Sequence, residues 1–232
     1  LLVLCAATLA IWWAQAQFAE QDDWQLQRIR IVGELRQLHV NDIQTALALE
    51  SGQTVAEVNM KQLTKAVSEL PWVKQVEVRR QFPGELVVSV VERLPWLRLN
   101  AQQMLDSDGH AFSPKNVEAF LHLPRVVVDE SQLDEAVQQF KRANEVLASI
   151  GITISELVLN GRGALTVRLN NDVALMFGRD DWQARLKRFV SLYPGLSHDG
   201  VLPRYVDLRY DTGVAVSWPE TVKEKAPKTA GL

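Results

Sequence analysis

From Leu26 to Val32 apolar and basic positions alternate, and Gly33-Glu34 closes the run. A period of two predicts a half-buried strand. The period then lengthens. Ile43, Ala46 and Leu47 lie on one face of a short helix for which Asn41 is the expected N-cap, broken at Ser51-Gly52. Asn59 opens a second helix with Leu63, Ala66, Val67 and Leu70 on one face, and Pro71 ends it. The period of two returns over Val73 to Arg79. Leu86 to Val91 is almost continuously apolar, and Phe82-Pro83-Gly84 turns between the two strands. The predicted order is β-α-α-β-β, in a segment near the lower end of autonomous domain size.

Beyond Pro95 strands dominate. Trp96 to Leu99 is a short strand, and Met104 to Phe112 a hairpin with Asp108-Gly109 at its tip. Leu123 to Asp129 is a strand. Ser131, with Asp134 three residues on, resembles a capping box opening a helix that turns Leu133, Val137, Phe140, Leu147 and Ile150 inward as far as Gly151. Ile154 to Leu159, Leu165 to Leu169 and Val173 to Phe177 follow as strands. Asp180 or Asp181 caps a helix with Leu186, Phe189 and Leu192 inward.

The last folded stretch is Tyr205 to Trp218. Val206, Leu208 and Tyr210 share one parity, and Tyr205, Asp207 and Arg209 the other. Asp211-Thr212-Gly213 is a turn signal, Val214 to Trp218 a second strand, and Pro219 removes the next amide donor. Residues 219–232 hold little to bury and are expected to be disordered. A strand that ends the fold is a candidate edge strand, open to pairing with another chain.

The chain has 232 residues, 47% hydrophobic and 23% charged, with net charge −3, a balance that favours neither nucleic acid nor an acidic membrane surface. The single cysteine, Cys5, excludes disulfides and thiolate metal sites within the chain. No charged residue precedes Glu20. Leu1 to Phe18 reads as a transmembrane anchor whose start lies upstream, being a little short of the roughly 20 apolar residues a span needs. Trp12 and Trp13 suit an interfacial belt. Ala14-Gln15-Ala16 also fits a signal-peptidase site, the rival reading.

No reaction centre is legible. The chain lacks G-x-S-x-G, S-x-x-K, H-E-x-x-H and P-loop signatures. Gly161-Arg162-Gly163 reads as a turn. The histidines are scattered, and Asp106 and Asp108 are turn formers without the later ligands of an EF-hand loop. The expectation is no catalytic residue, no metal and no cofactor.

Pro71-Trp72-Val73 through Arg79-Arg80-Gln81-Phe82-Pro83-Gly84-Glu85-Leu86, then Val90-Val91-Glu92-Arg93-Leu94-Pro95, resembles the POTRA module of the FtsQ/DivIB family of bacterial cell-division proteins. Trp72 would plug the gap where the second helix meets the sheet, and Arg79 and Arg80 would stand exposed on a strand face. Leu105-Asp106-x-x-Gly109-x-x-Phe112, Gly178-Arg179, Leu186-x-Arg188-Phe189, Leu192-Tyr193-Pro194 and Tyr205 to Gly213 resemble the β-domain of the same family. The ordered set spans nearly the whole chain.

The resemblance implies an α+β chain of four parts. These are a transmembrane helix over 1–19, a POTRA domain over 24–94, a mostly antiparallel β-domain over 95–218 with two or more helices and a terminal edge strand, and a tail. It implies a non-enzymatic scaffold, single-pass in the bacterial inner membrane, with its body in the periplasm at the septum. The implied partners are FtsB and FtsL, with FtsW, FtsI and FtsN near by. The positions that would receive a strand from FtsB are Arg209, Tyr210, Thr212, Gly213, Val214, Val216 and Trp218, with Arg162 on a neighbouring turn. By parity alone Tyr210 is equally a core residue. An anchored periplasmic enzyme, or an assembly chaperone of the POTRA type, is the alternative. The chaperone version expects tandem POTRA copies or a membrane barrel, and the sequence carries one copy and no lipid-facing strand pattern.

Overall fold

The computed structural model describes residues 25–49, 54–197 and 200–219. The predicted anchor, the Ser51-Gly52 break and nearly all of the tail lie outside them. Among the described residues no helix is long and apolar enough to cross a membrane. The chain divides into two units, Leu1–Leu94 and Pro95–Leu232.

In the first unit β1 (Arg28–Val32), β2 (Val73–Gln81) and β3 (Glu85–Glu92) form a sheet in the order β1-β3-β2. The first strand runs parallel to β3 and β2 antiparallel to it. Helices α1 (Val40–Leu47) and α2 (Met60–Ser68) connect β1 to β2, which is the β-α-α-β-β order of the sequence. Ile43, Leu47, Leu63, Val67, Leu86 and Val88 make the core, with Trp72 half-buried against it. Asn59 caps α2 as expected, its Oδ1 accepting the N–H of Lys61 at 3.1 Å and of Gln62 at 3.3 Å.

Two local expectations change. The first helix begins at Val40 with His39 as its N-cap, and the His39 N–H donates to Asp42 Oδ2 at 3.3 Å. Asn41 is already inside the helix, where its carbonyl accepts the Thr45 hydroxyl. Nor is Arg80 a free surface cation. Its Nε donates to the Val55 carbonyl and an Nη to the Val58 carbonyl, both at 2.7 Å. These are acceptors more than twenty residues away, so no local pattern announces them. Arg79 remains outward, 3.7 Å from Glu77.

The second unit is one nine-stranded sheet in the order β12-β11-β10-β9-β8-β7-β4-β5-β6. Its strands are β4 (Pro95–Leu99), β5 (Gln103–Asp106), β6 (Ala111–Phe112), β7 (Arg125–Val128), β8 (Ile154–Leu159), β9 (Leu165–Leu169), β10 (Ala174–Gly178), β11 (Tyr205–Asp207) and β12 (Ala215–Ser217). Five neighbouring pairs are antiparallel, and β4–β7, β7–β8 and β10–β11 are parallel.

Strand register builds the core as a row. Leu99, Val126, Leu157, Val167, Leu175, Val206 and Val216 face one another in succession from β4 to β12. The first six are buried, under α3 (Leu133–Ala148) and α4 (Trp182–Leu192), which contribute Val137, Phe140, Leu147, Leu186 and Phe189. Because side chains alternate, the neighbouring residues form a second row on the opposite face.

The entry to α3 differs from the expected cap. A 3-10 turn over Glu130–Gln132 leads in, the helix begins at Leu133, and no side chain caps it. Asp134 and Glu135 sit in its first turn instead, where carboxylates favour the helix dipole. Leu192, predicted inward, is exposed at the end of α4.

Candidate functional site

The strand β12 closes one edge of the sheet, with β11 as its neighbour. The Ser217 carbonyl accepts the Arg204 N–H at 2.8 Å. Main-chain groups alternate in direction along a strand. Ser217 and Ala215 therefore turn theirs toward β11, and Val216 turns its N–H and C=O outward, with Val214 and Trp218 on the same parity. The side chains of Val214 and Val216 pack half-buried on the core. This divides the labour of each residue, with side chain inward and backbone toward the edge.

The approach to this strand is not the tight turn the sequence predicts. β11 stops at Asp207, and residues 208–214 form a seven-residue connection before β12. Leu208 is fully buried, while Tyr210 is 57% exposed. Tyr210 therefore does not share the core face of Val206 and Leu208, because the strand that would carry the alternation has already ended. Arg209, Asp211 and Thr212 are also exposed. A Cβ built on Gly213 would meet nothing within 4 Å, and its φ is not positive, so the glycine is not required by the turn.

Three arginines hold the connection. Arg188 of α4 donates from one Nη to the Tyr210 carbonyl at 2.6 Å and the Gly213 carbonyl at 3.0 Å. Arg185, one turn earlier and only 12% exposed, donates to the Phe177 carbonyl and lies 3.9 Å from Asp211 Oδ1. Arg209 folds back on Asp207, its Nε 2.8 Å from Oδ1 and an Nη 2.6 Å from Oδ2. That hydrogen bond first of all holds the Asp207 carboxyl below the usual carboxylate range, against the opposing effect of burial. Arg209 is correspondingly raised, chiefly by the same bond.

Gly178 makes room for this packing. Its φ is +72°, and a Cβ there would stand 3.2 Å from Arg209 Cγ and 3.3 Å from an Arg185 Nη. The sequence reading missed Arg185, Arg188 and Asp207. The available signals were the Arg185/Arg188 spacing on one helix face and the shared parity of Asp207 and Arg209.

Arg162 stands exposed in the β8–β9 turn, its N–H donating to Asn160 Oδ1 at 3.0 Å. The sheet order places β9 three strands in from β12, roughly 14 Å at the usual spacing. The other seven predicted positions lie together along the edge and its approach. Asp106 behaves as the turn former expected of it, its Oδ1 accepting the N–H of Asp108 at 3.0 Å and of His110 at 2.9 Å.

Comparison with known proteins agrees with this architecture. Residues 25–93 match the model of the POTRA domain, FtsQ-type, and residues 95–209 that of Cell division protein FtsQ/DivIB, C-terminal. Cell division protein FtsQ of Escherichia coli (strain K12) is 36% identical over 234 residues, covering 97% of this chain and 84% of that protein. The FtsQ of Shewanella oneidensis is 32% identical over 83% of this chain and 74% of that protein, and that of Xanthomonas campestris pv. campestris 28% identical over 83% and 69%. The POTRA module and the domain beyond it are thus both of the FtsQ type, and the chain belongs to the FtsQ/DivIB family of cell-division proteins.

Proposed function

We propose that this chain is a non-enzymatic scaffold of the divisome that receives a β-strand of FtsB along β12. In this reading it is a bitopic inner-membrane protein whose second unit lies in the periplasm at the septum. FtsL joins the same complex, and FtsW, FtsI and FtsN are the later division proteins brought to it. The observation that carries the reading is the open edge at β12, where Val216 turns its main-chain N–H and C=O away from β11 beside the exposed Tyr210.

The residues then have distinct roles. Val214 and Val216 supply ladder groups, and Gly213 leaves space for a partner backbone. Tyr210 and Trp218 are aromatic anchors, each costing about 2 kcal/mol or more on truncation. Thr212 is an exposed hydroxyl on the approach. Arg209 and Arg162 meet partner carboxylates at the rim, where such pairs steer association more than they hold it. Arg209 already carries an internal counter-ion, so a partner carboxylate shares it with Asp207.

Binding of the 232-residue chain in detergent to the periplasmic segment of FtsB tests this, with Tyr210→Ala and Trp218→Ala alongside and a thermal melt of each. The expected result is lost binding by Tyr210→Ala with an unchanged melt. Undiminished binding by both variants would move the partner site away from β12 and sink the reading.

A further inference from the structure

The face of the nine-stranded sheet opposite the helices carries a second register row. From β4 to β12 it reads Arg98, Arg125, Glu156, Arg168, Ala174, Tyr205, Ser217. Its first four positions hold three arginines and one glutamate. Glu156 sits between Arg125, at 3.5 Å, and Arg168, at 3.9 Å, so one carboxylate serves two guanidinium groups. Arg98 next in line donates to the Leu123 carbonyl at 3.0 Å. Burial, and then the charge of Arg125, lower its pKa, against the opposing pull of Glu156. Three arginines to one glutamate leave this row with surplus positive charge.

The other half of the row is a cleft of about 590 Å³ that opens on the edge strand. Small Ala174 lines it between Arg168 and Tyr205, and Arg204, Asp172, Ser217 and Pro219 line it as well. The cleft therefore runs continuously from the docking edge proposed above to the arginine row. We infer that the segment of the partner adjoining its docked strand turns in at Ser217 and lies across this face, with acidic side chains meeting Arg204, Arg168 and Arg125.

Distance and charge both support this occupant. From a strand added beside β12 to Arg168 on β9 is four strand spacings, about 19 Å, which roughly six extended residues cover, and to Arg125 on β7 six spacings, about 29 Å, which roughly nine cover. The edge contact supplies attachment, and the row supplies the sign of the charge that follows it. This chain's own residues 220–232 also leave near Pro219, but they carry three lysines against two glutamates and do not complement a basic face. The inference rests on strand addition at β12, and its test separates the two.

The test compares the FtsB periplasmic segment binding to the 232-residue chain in detergent, to Arg168→Gln/Arg204→Gln and to Tyr210→Ala. Titrations run from 50 to 500 mM NaCl, with a melt of each variant. The double variant removes charge from exposed positions, so its melt is expected to hold. The expected result is at least a tenfold loss of affinity at 50 mM salt that closes as salt rises, with Tyr210→Ala weakening binding at every salt concentration. Equal affinity of wild type and double variant at low salt, while Tyr210→Ala still weakens binding, overturns the acidic segment and leaves the edge reading intact. Insensitivity to all three changes overturns both. In the first of these cases, self-association and binding to phosphatidylglycerol vesicles, measured with the same double variant, tell whether a second copy or an anionic lipid surface uses the row instead.

Discussion

Arg209 grips the carboxylate of Asp207, two residues before it, with its Nε 2.8 Å from Oδ1 and an Nη 2.6 Å from Oδ2. The Arg209 backbone N–H donates to the same carboxylate at 3.1 Å. Asp207 is only 6% exposed, and its charge is held chiefly by Arg209, with the charge of Arg185 adding to it. The three bonds together bend the chain out of β11 and send Tyr210 to the surface.

This pair gives stability a pH dependence of known sign. The folded-state pKa of Asp207 is depressed, first by the Arg209 hydrogen bond. Its contribution is therefore complete above the unfolded value of about 3.9 and fades as pH falls through the lower folded value. Asp207→Asn is expected to lower stability by roughly 1 kcal/mol at neutral pH. Melts of both proteins from pH 7 to pH 2 should converge below about pH 4, and a constant difference across that range would show that the carboxylate charge plays no part.

Arg188 fixes the approach to the edge by bonding two carbonyls, those of Tyr210 and Gly213. Hydrogen bonds from a charged donor contribute about 1.5–3 kcal/mol. Arg188→Ala should therefore loosen residues 208–214 while α4, held by Leu186 and Phe189, stays packed. Amide exchange is expected to quicken in that connection by an order of magnitude or more with little change in β8 and β9. Partner affinity should fall through lost preorganisation even though Arg188 need touch no partner atom. Unchanged exchange in 208–214 would remove the arginine from this role.

How far the sequence reaches depends on the range of the forces involved. The apolar run Leu86–Val91, buried at Leu86, Val87, Val88 and Val90 though exposed at Val91, and the period of Leu63, Ala66 and Val67 were legible because burial there largely follows spacing. Asn59 was legible as a cap because the N–H donors it accepts lie two and three residues away. Arg80 was not, since its carbonyl partners come from the segment before α2. The same holds for Tyr210. Alternation places it with Val206 and Leu208, and only the Asp207–Arg209 clasp, together with Arg188 from another element, reveals that the strand ends first. The edge position of β12 was legible from its place at the end of the fold. The arginine row across seven strands was not, because register is set by pairs far apart in sequence.

In the POTRA unit one carboxylate has a structural duty of its own. Glu92 is buried and accepts the N–H groups of Gln37 at 2.6 Å and Leu38 at 3.0 Å, with Arg36 as a third donor. It ties the segment entering α1 to the end of β3. Glu92→Ala strands these donors and is expected to cost roughly 2–4 kcal/mol, since bonds to an ionised group are the strong ones. Amide exchange over Arg36–Leu47 checks it, because a whole-chain melt mixes two units. Glu92→Gln keeps the shape and should recover part of the loss, whereas equal losses in both variants would assign the effect to packing.

The sharpest separation of folding from docking comes from proline at neighbouring positions of β12. Val216 turns its N–H to the open edge, as fixed by the Arg204 N–H donating to the Ser217 carbonyl at 2.8 Å. Proline at an edge position whose N–H faces away from the sheet removes no internal ladder bond. Val216→Pro also retains most of the apolar volume that rests on the core. It is expected to shift Tm by only a few degrees. It should nevertheless abolish strand addition, since it deletes one partner hydrogen bond and places ring atoms where the incoming backbone must lie. Ala215→Pro has the opposite geometry. Ala215 pairs with Asp207 and turns its N–H toward β11, so proline there should loosen the last strand and lower Tm clearly. Melts and FtsB-segment titrations of the two variants thus predict a crossed pattern, with Val216→Pro folded and silent in binding and Ala215→Pro destabilised. If Val216→Pro bound as tightly as wild type, the outward main chain of β12 could not be the docking edge, whatever Tyr210 contributes.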